Sequence, residues 1–501
     1  MNSINLYILC EGTKLENLGA YQKVLTNSYG KKQFKNDEIE TMKRFVNELL
    51  EGGAEIADLD GFLYGFSIPQ ISKEFDLLKI YENGSIINIE LKSQEVGLEK
   101  IEYQLKKNRY YLSHLNKKIY SFTYVKTETY GQLYSYDGIR LKRCNIQEVI
   151  ELIGFEEKCI ERDIEKLFKA KDYLISPINT PELFEKENYY LTRHQEEIKN
   201  KIIKGINNRK QILWGIQGSA GTGKTLLLYD IAKTLGNSLK VCVIHSGILS
   251  QGHITLNSKL HNVDIIPAKD CNEDAITKYD CVLIDESQRL YQGDFNCIVK
   301  AFQEGKIQCI FAYDYYQVLS KAESNRNIPE QLKQFSCFDE NKLSEKIRTN
   351  KEVASFIKNV IDLSHRPKGY MNYSNIEVLY ADDYDVAKNI VEHYVLNKGY
   401  QFISYTPSRV KSNEIDKFDN YINTHHIIGQ EFDNVIFSMD SNFRYTEDGH
   451  LQGKRHPNPD YIFYKLWFQG VSRAREKLCI LVIGNEPLFN NILKVKMQFE
   501  E

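Results

Sequence analysis

The 501-residue chain has no run of 18 or more apolar residues. That excludes a helical membrane span, because a bilayer core demands about 20 such residues in a row. Nor is there an excess of one charge: 65 lysines and arginines face 68 aspartates and glutamates, a formal net charge of −3. No global basic coat exists, so any nucleic-acid partner would have to be held by local patches. The ten cysteines are scattered from Cys10 to Cys479, with no CxxC pair and no histidine at zinc spacing. Reduced, mostly buried thiols are the expectation. There is no internal repeat and no low-complexity tract. The opening MNSINLYILCEGTKLENL has an apolar stretch too short for a secretory leader, without a basic start or a small-residue cleavage site. The expectation is a cytoplasmic protein without membrane contact.

What is present is the composition of a multidomain globular protein: 42% hydrophobic, 27% charged, and too long for one core. The clearest break is SPINTPELFEKENYY, residues 176–190, where Pro177 and Pro181 interrupt helical patterning. Beyond it, short apolar runs alternate with helical segments: ILWGI, KVCVIH, YDCVLID and IQCIFAYD, then IEVLY, QFISY, NVIFSMD and KLCILVIG. The alternation predicts parallel sheets with crossover helices, in two tandem α/β lobes.

ILWGIQGSAGTGKTLLLYDIAKTL is the most specific feature. An apolar strand leads into Gly218-Ser219-Ala220-Gly221-Thr222-Gly223-Lys224-Thr225 and then an amphipathic helix, matching GxxxxGK[ST] in its required context. Glycines let the backbone N–H groups curl around phosphate oxygens, and the helix adds its positive N-terminal end. Lys224 is expected on the β- and γ-phosphates and the Thr225 hydroxyl on Mg²⁺, with ATP as the nucleotide. YDCVLIDESQRL ends a buried strand in Asp285-Glu286, about sixty residues past this loop. Asp285 is then the Mg²⁺ partner and Glu286 the base for the attacking water.

From about residue 186 to 490 the chain resembles a superfamily 1 helicase core of the UvrD/Rep type, and more closely the Schlafen-like helicase group. The motifs stand in order. LTRHQEEI resembles the Q motif, which implies that Gln195 reads adenine. IHSGIL, from Ile244, resembles the first strand-contacting motif, and Asp285-Glu286-Ser287-Gln288 the DExQ motif. YDYYQ resembles GDxxQ, implying γ-phosphate sensing by Asp314 and Gln317. LSEKIRTN supplies Arg348, THHIIGQEFDNV supplies His425, Gly429 and Glu431, and QGVSRAREKL supplies Arg473. The resemblance implies ATP held between two RecA-like lobes, with Arg348 and Arg473 reaching the γ-phosphate from the second. Arginine suits that task because its planar fork contacts several oxygens and stays charged. Tyr313 stands where the family has glycine, and the short spacings leave no room for large accessory subdomains. The resemblance therefore carries translocation further than duplex separation. Phe311, Tyr313, Tyr315 and Tyr316 cluster near the third motif, where aromatic rings either stack on bases or pack in the core.

The first 150 residues read as helix, strands, helix, strand. That order resembles the PD-(D/E)xK nuclease core, with Asp76 and Glu90-Leu91-Lys92 matching D…ExK. Glu90 and Lys92, two apart on a strand, share a face. A three-residue turn with a left-handed Gly84 puts Asp76 opposite Glu90; a two-residue Asn83-Gly84 turn puts it opposite Leu91 and destroys the site. Both turns fit the sequence. In the first case Asp76 and Glu90 would hold Mg²⁺ or Mn²⁺, and Lys92 would orient the hydrolytic water. Glu40 and Glu48 are equal candidates for a further acidic ligand. Gln104, Lys107 and Tyr111 lie on the next helix, without the QxxxY spacing of RecB-type nucleases.

The expected fold is thus α/β: two tandem RecA-like P-loop lobes, 189–340 and 341–501, preceded by a small PD-(D/E)xK-like domain, 1–140, and a helical linker, 141–188. The expected activity is ATP-driven translocation on nucleic acid, DNA first, with metal-dependent cleavage by the N-terminal domain. A partner protein or homo-oligomer is compatible with this, and analogy with similar fusions implies a role in bacterial defence against phage. The competing readings are an ATP-driven regulatory switch with an inactive nuclease-like domain, and a repair translocase that does not cut.

Overall fold

The structure is a computed structural model that describes residues 3–12, 36–68, 73–82, 84–128, 130–154, 158–160, 164–168, 173, 175–219, 221–315, 317–343, 351–365, 371–406, 418, 420–453 and 461–498. The chain divides into two compact units, residues 1–173 and 174–501. No helix among the described residues is long and apolar enough to cross a membrane.

The first unit is built on six strands: β1 (Phe62–Ser67), β2 (Glu74–Ile80), β3 (Ser85–Lys92), β4 (Lys118–Val125), β5 (Gln132–Tyr136) and β6 (Leu141–Cys144), hydrogen-bonded in that order. Only β3 and β4 run parallel, because the helix Leu98–Ser113 crosses over between them. The helix Asn36–Glu51 covers one face, burying Met42, Phe45, Val46 and Leu49 at i, i+3, i+4 and i+7 against Leu77, Ile89, Phe122 and Tyr124. The crossover helix covers the other face with Ile101 and Leu105, against Val125 and Tyr136. Residues 141–153, read from the sequence as the start of a helical connection, form β6 and the helix Ile146–Ile153. That helix puts Val149, Ile150 and Ile153 into the first unit's core, burial that a free linker could not provide.

The second unit holds two parallel sheets. One has the order β12 (Phe338–Leu343), β7 (Leu213–Gly218), β11 (Gln308–Tyr313), β10 (Cys281–Asp285), β8 (Val241–His245), β9 (Val263–Pro267). The helices Arg193–Asn207 and Lys224–Gly236 cover one face and Gln292–Gln303 the other. Cover on both sides is why these strands read as continuous apolar runs. Part of the interrupted segment after Pro177 also packs here: Ile178, Phe184 and Tyr189 belong to this core.

The other sheet is β13 (Ile376–Ala381), β18 (Ala474–Ile483), β15 (Phe432–Met439) and β14 (Gln401–Phe402), with a small hairpin of β16 (Phe443–Tyr445) and β17 (Leu451–Gly453) beside it. The helices Lys351–Ile361, Phe463–Val471 and Glu486–Lys496 pack on one face, and Tyr384–Lys398 on the other.

Candidate functional site

In the second unit, β7 ends at Gly218 and the chain turns through the glycine loop into the helix Lys224–Gly236. Gly221 and Gly223 take φ of +75° and +81°, conformations that glycine adopts freely. A Cβ on Gly223 would also come within 2.5 Å of the Gln195 amide. Thr222 Oγ1 donates to the Ser219 carbonyl at 2.8 Å, so the loop is braced from inside. Lys224 Nζ donates to the same carbonyl at 3.1 Å and lies 3.8 Å from Asp314 Oδ2. Thr225 Oγ1 donates to Asp285 Oδ2 at 3.2 Å. The hydroxyl and the carboxylate are therefore adjacent at the mouth of the helix, where a nucleotide-bound cation would sit. Ala220 lies outside the described residues.

Gln195 is buried and committed on both ends of its amide. Its oxygen accepts from Thr192 N in a capping box, and its Nε2 donates to the Thr222 carbonyl at 3.3 Å. It fastens the helix Arg193–Asn207 to the glycine loop.

Glu286 follows Asp285 in the left-handed region, φ +54° and ψ +40°. Its Oε2 accepts from Gln288 Nε2 at 2.6 Å, and Gln288 Oε1 in turn accepts from Asp314 N. Burial and the neighbouring Glu286 push the Asp285 carboxyl upward. Burial works against ionised Glu286, but the cations of Arg289, Lys224 and Arg473 outweigh it and hold that carboxyl low. Two adjacent buried carboxylates beside three cations can divide the work: one awaits a metal cation, the other stays ionised as a base.

The opposite wall comes from the second sheet. Gly221, Gly223, Lys224, Thr225, Glu286 and Gln317 line one cavity together with Gly429, Glu431 and Arg473. Arg473, at the entry to β18, is buried and donates from Nη2 to Gln317 Oε1 at 2.9 Å, bridging the two sheets. The Glu431 carbonyl accepts from Asn179 Nδ2, a residue of the segment that leads into this unit. Arg348 lies outside the described residues, so Arg473 is the arginine the structure brings to the cavity.

A second opening lies between Ile248, Leu249 and Ser250 on one side and Tyr421, Asn423 and His426 on the other. His245, at the end of β8, is fully buried and its ring packs tilted against that of His253, centroids 4.3 Å apart. His425 packs edge-on against Tyr461. Of the aromatic cluster, Phe311 and Tyr313 are core residues: both are fully buried, and Tyr313 donates to Glu340 Oε1 at 2.7 Å. They cannot serve as base-stacking platforms, because β11 is the sheet's central strand region with cover on both faces. Tyr315 packs edge-on to Tyr313 under Lys333, and Tyr316 lies outside the described residues.

In the first unit, Leu77 pairs with Ile89 and Ile80 with Ile86, so the register sets Asp76 opposite Glu90. Tyr81 N donates to Ser85 O at 3.0 Å, and Gly84 has φ +133°. The pairing is the one that a metal site requires; Asn83 lies outside the described residues. Leu91 N donates to Asp76 Oδ2 at 2.8 Å. Asn108 Nδ2 donates to Glu90 Oε1 at 2.6 Å, and Gln104 Nε2 donates to Glu90 Oε2. Lys92 Nζ is 3.9 Å from Glu90 Oε2. Burial, and then the charge of Glu90, push the Asp76 carboxyl well up. Lys73 also feels both carboxylates, and burial lowers its ammonium.

Glu48 is on the other face, accepting from Tyr124 OH and Gly131 N. Glu40 is exposed and paired with Lys43. Tyr111 is buried, with its ring 5.3 Å from Tyr173. Among the described residues no group of three His, Cys, Asp or Glu could hold a metal ion. Asn108 and Lys73 were missed from the sequence. Asn108 had a signal, since it stands four residues after Gln104 and shares its helix face.

Residues 211–423 match the family model described as Schlafen group 3, DNA/RNA helicase domain. No curated protein matches the chain. Among solved structures, the chain is similar to Arterivirus nonstructural protein 10 (helicase), with 14% identity and a TM-score of 0.33 over 58% of this chain and 64% of that one. It thus spans less than two thirds of that protein. It is also similar to the Pif1 helicase from Bacteroides solved with ADP-AlF3 and ssDNA, with 14% identity and a TM-score of 0.32 over 58% of this chain and 92% of that one. For Pif1 helicase from Candida albicans the values are 13% identity and a TM-score of 0.29, over 60% and 98%.

Proposed function

We propose that the second unit is an ATPase that binds ATP with Mg²⁺ between its two parallel sheets and uses hydrolysis to move along a nucleic-acid strand. The observation that carries this reading is one cavity lined by Lys224, at the helix that follows β7, and by Arg473, at the entry to β18 of the other sheet. The donor set fits the cation: a hydroxyl and a carboxylate, Thr225 and Asp285, are already paired beside the glycine loop. Mg²⁺ bound there supplies charge neutralisation for the phosphates.

The chain's own residues do the rest. The loop amides of Gly218, Gly221, Thr222 and Gly223 and the Lys224 ammonium take the phosphates. Gln195 keeps the loop in place, and Glu431 closes the nucleotide side of the second lobe. Glu286, held ionised, accepts the proton of the attacking water. Gln317 and Arg473, already hydrogen-bonded to one another, sense the γ-phosphate, and Arg348 joins them on closure. Loss of that phosphate releases the arginine contacts, so the lobes part. The opening between Ile248 and Tyr421 is the strand's path, and the family match at 211–423 supports nucleic acid as its occupant.

For the first unit we propose a divalent-cation nuclease centre. Two facing carboxylates, one driven toward protonation by burial and then by the charge of the other, are the hard-oxygen pair that Mg²⁺ or Mn²⁺ relieves. Asp76 and Glu90 would hold the cation, and Lys92 would orient the water.

The test is ATP hydrolysis with single-stranded DNA, single-stranded RNA and neither, for the wild-type chain and Lys224→Ala. Stimulation by a strand and a loss of about 100-fold or more in the variant are expected. Hydrolysis that survives Lys224→Ala removes the phosphate-loop assignment; hydrolysis indifferent to every strand replaces the translocase with a nucleotide switch.

A further inference from the structure

Arg289 is buried behind Glu286, a residue that lines the nucleotide cavity, and no helicase-like motif assigns it a task. Its side chain is 3% exposed, and Nε, Nη1 and Nη2 are all buried without a hydrogen-bond partner. A guanidinium left in that state is costly, so a buried acceptor must matter to it. The only carboxylate in ion-pair contact with it among the described residues is Glu286, with Arg289 Nε at 3.7 Å from Glu286 Oε2.

Local backbone explains the pairing. Ser287–Arg289 form a 3₁₀ turn, closed by Arg289 N donating to the Glu286 carbonyl at 3.0 Å. The turn brings Arg289 back beside Glu286, the left-handed residue that opens it, and their side chains meet in the 3.7 Å ion pair. Gln288 Nε2 reaches the same oxygen, Oε2, at 2.6 Å. Both contacts therefore load one carboxylate oxygen and neither uses Oε1. Lys224 and Arg473 also act on the Glu286 charge, but the proposed function assigns both to phosphate oxygens. With nucleotide in place, Arg289 is the cation that remains to the carboxylate.

Resting on the ATPase reading, we propose that Arg289 is the positioning residue of Glu286. It clamps Oε2 together with Gln288 and leaves Oε1 to meet the attacking water. Arg289 touches neither nucleotide nor water and acts only through the carboxylate.

The experiment is a double-mutant cycle on the full chain with a saturating stimulating strand: Arg289→Met, Glu286→Gln and both together, with Arg289→Lys as the conservative variant. Arg289→Met, similar in length and apolar, is expected to lower kcat by about 100-fold, the effect of a small misplacement. KM for ATP and affinity for a fluorescent ADP stay near wild type. Arg289→Lys recovers part of kcat, because it keeps the charge and loses the fork. In the Glu286→Gln background, Arg289→Met costs nothing further. Multiplicative losses in the double variant, or ADP affinity falling in step with kcat, overturn the proposal. Should Arg289→Met fail to fold, the same cycle with Arg289→Lys decides it. Hydrolysis insensitive to Lys224→Ala sinks the ATPase reading instead, a separate outcome read in the same assay.

Discussion

Arg473→Ala is the sharpest perturbation of the seam. The side chain is buried and reaches from the second sheet to Gln317 Oε1 at 2.9 Å. Its removal has two separable costs. The first is a charged hydrogen bond between the sheets, worth about 1.5–3 kcal/mol, which bears on closure whatever nucleotide is bound. The second is stabilisation of charge on the transferred phosphate, about 10³–10⁵ in rate, or roughly 4–7 kcal/mol of barrier. Only the second needs a γ-phosphate. Steady-state hydrolysis at saturating strand should therefore fall by about 10³-fold or more, while fluorescent ADP loses at most the first cost. Arg473→Lys should recover little, because an ammonium cannot hold Gln317 and a phosphate oxygen in one plane. The reasoning is refuted if kcat stays within about threefold of wild type, or if kcat and ADP affinity fall by the same factor.

Other outcomes follow from the same structure. Lys92→Ala and Glu90→Gln should each abolish Mg²⁺- or Mn²⁺-dependent strand cleavage by about 10²–10⁴-fold without lowering ATP hydrolysis; cleavage indifferent to both changes removes the nuclease assignment. His425 is half-buried, and that desolvation, followed by the nearby Arg289 charge, lowers its pKa from about 6.5 to about 4. Between those values the unfolded chain binds a proton that the folded chain refuses, so stability is lost as pH falls from 6.5 toward 4 and is flat above. The contribution is at most about 3 kcal/mol. Urea unfolding of wild type and His425→Asn at pH 7.5 and 5 should show a steeper acid loss in the wild type, and equal losses would contradict the assignment.

Much of the candidate chemistry was legible because it is local. The phosphate loop is written in consecutive residues, and a strand, a glycine loop and a helix N-terminus need nothing distant to take shape. Asp285 and Glu286 could be placed the same way, at the end of an apolar strand. Other features were open in the sequence. The turn at Gly84 allowed two registers, and pairing of Leu77 with Ile89 across the sheet selects one. Glu48 and Glu40 could not be separated until the faces of the sheet were known; Glu48 then went to Tyr124 and Gly131. Asn108 and Gln104 turned out to hold both oxygens of Glu90. Tyr313 and Phe311 read as possible platforms and are core, since composition alone does not say how deep a strand lies.

By itself, then, the sequence determined the parallel α/β character of the second unit and the loop that can cradle phosphate. The reason is that periodicity and glycine spacing act over a few residues. The meeting of Arg473 with Gln317, 156 positions apart, was decided by the tertiary structure. So was the ion pair of Arg289 with Glu286, which depends on a left-handed residue followed by a 3₁₀ turn. A guanidinium and an amide so far apart in sequence interact only when folding brings them together and removes the water between them.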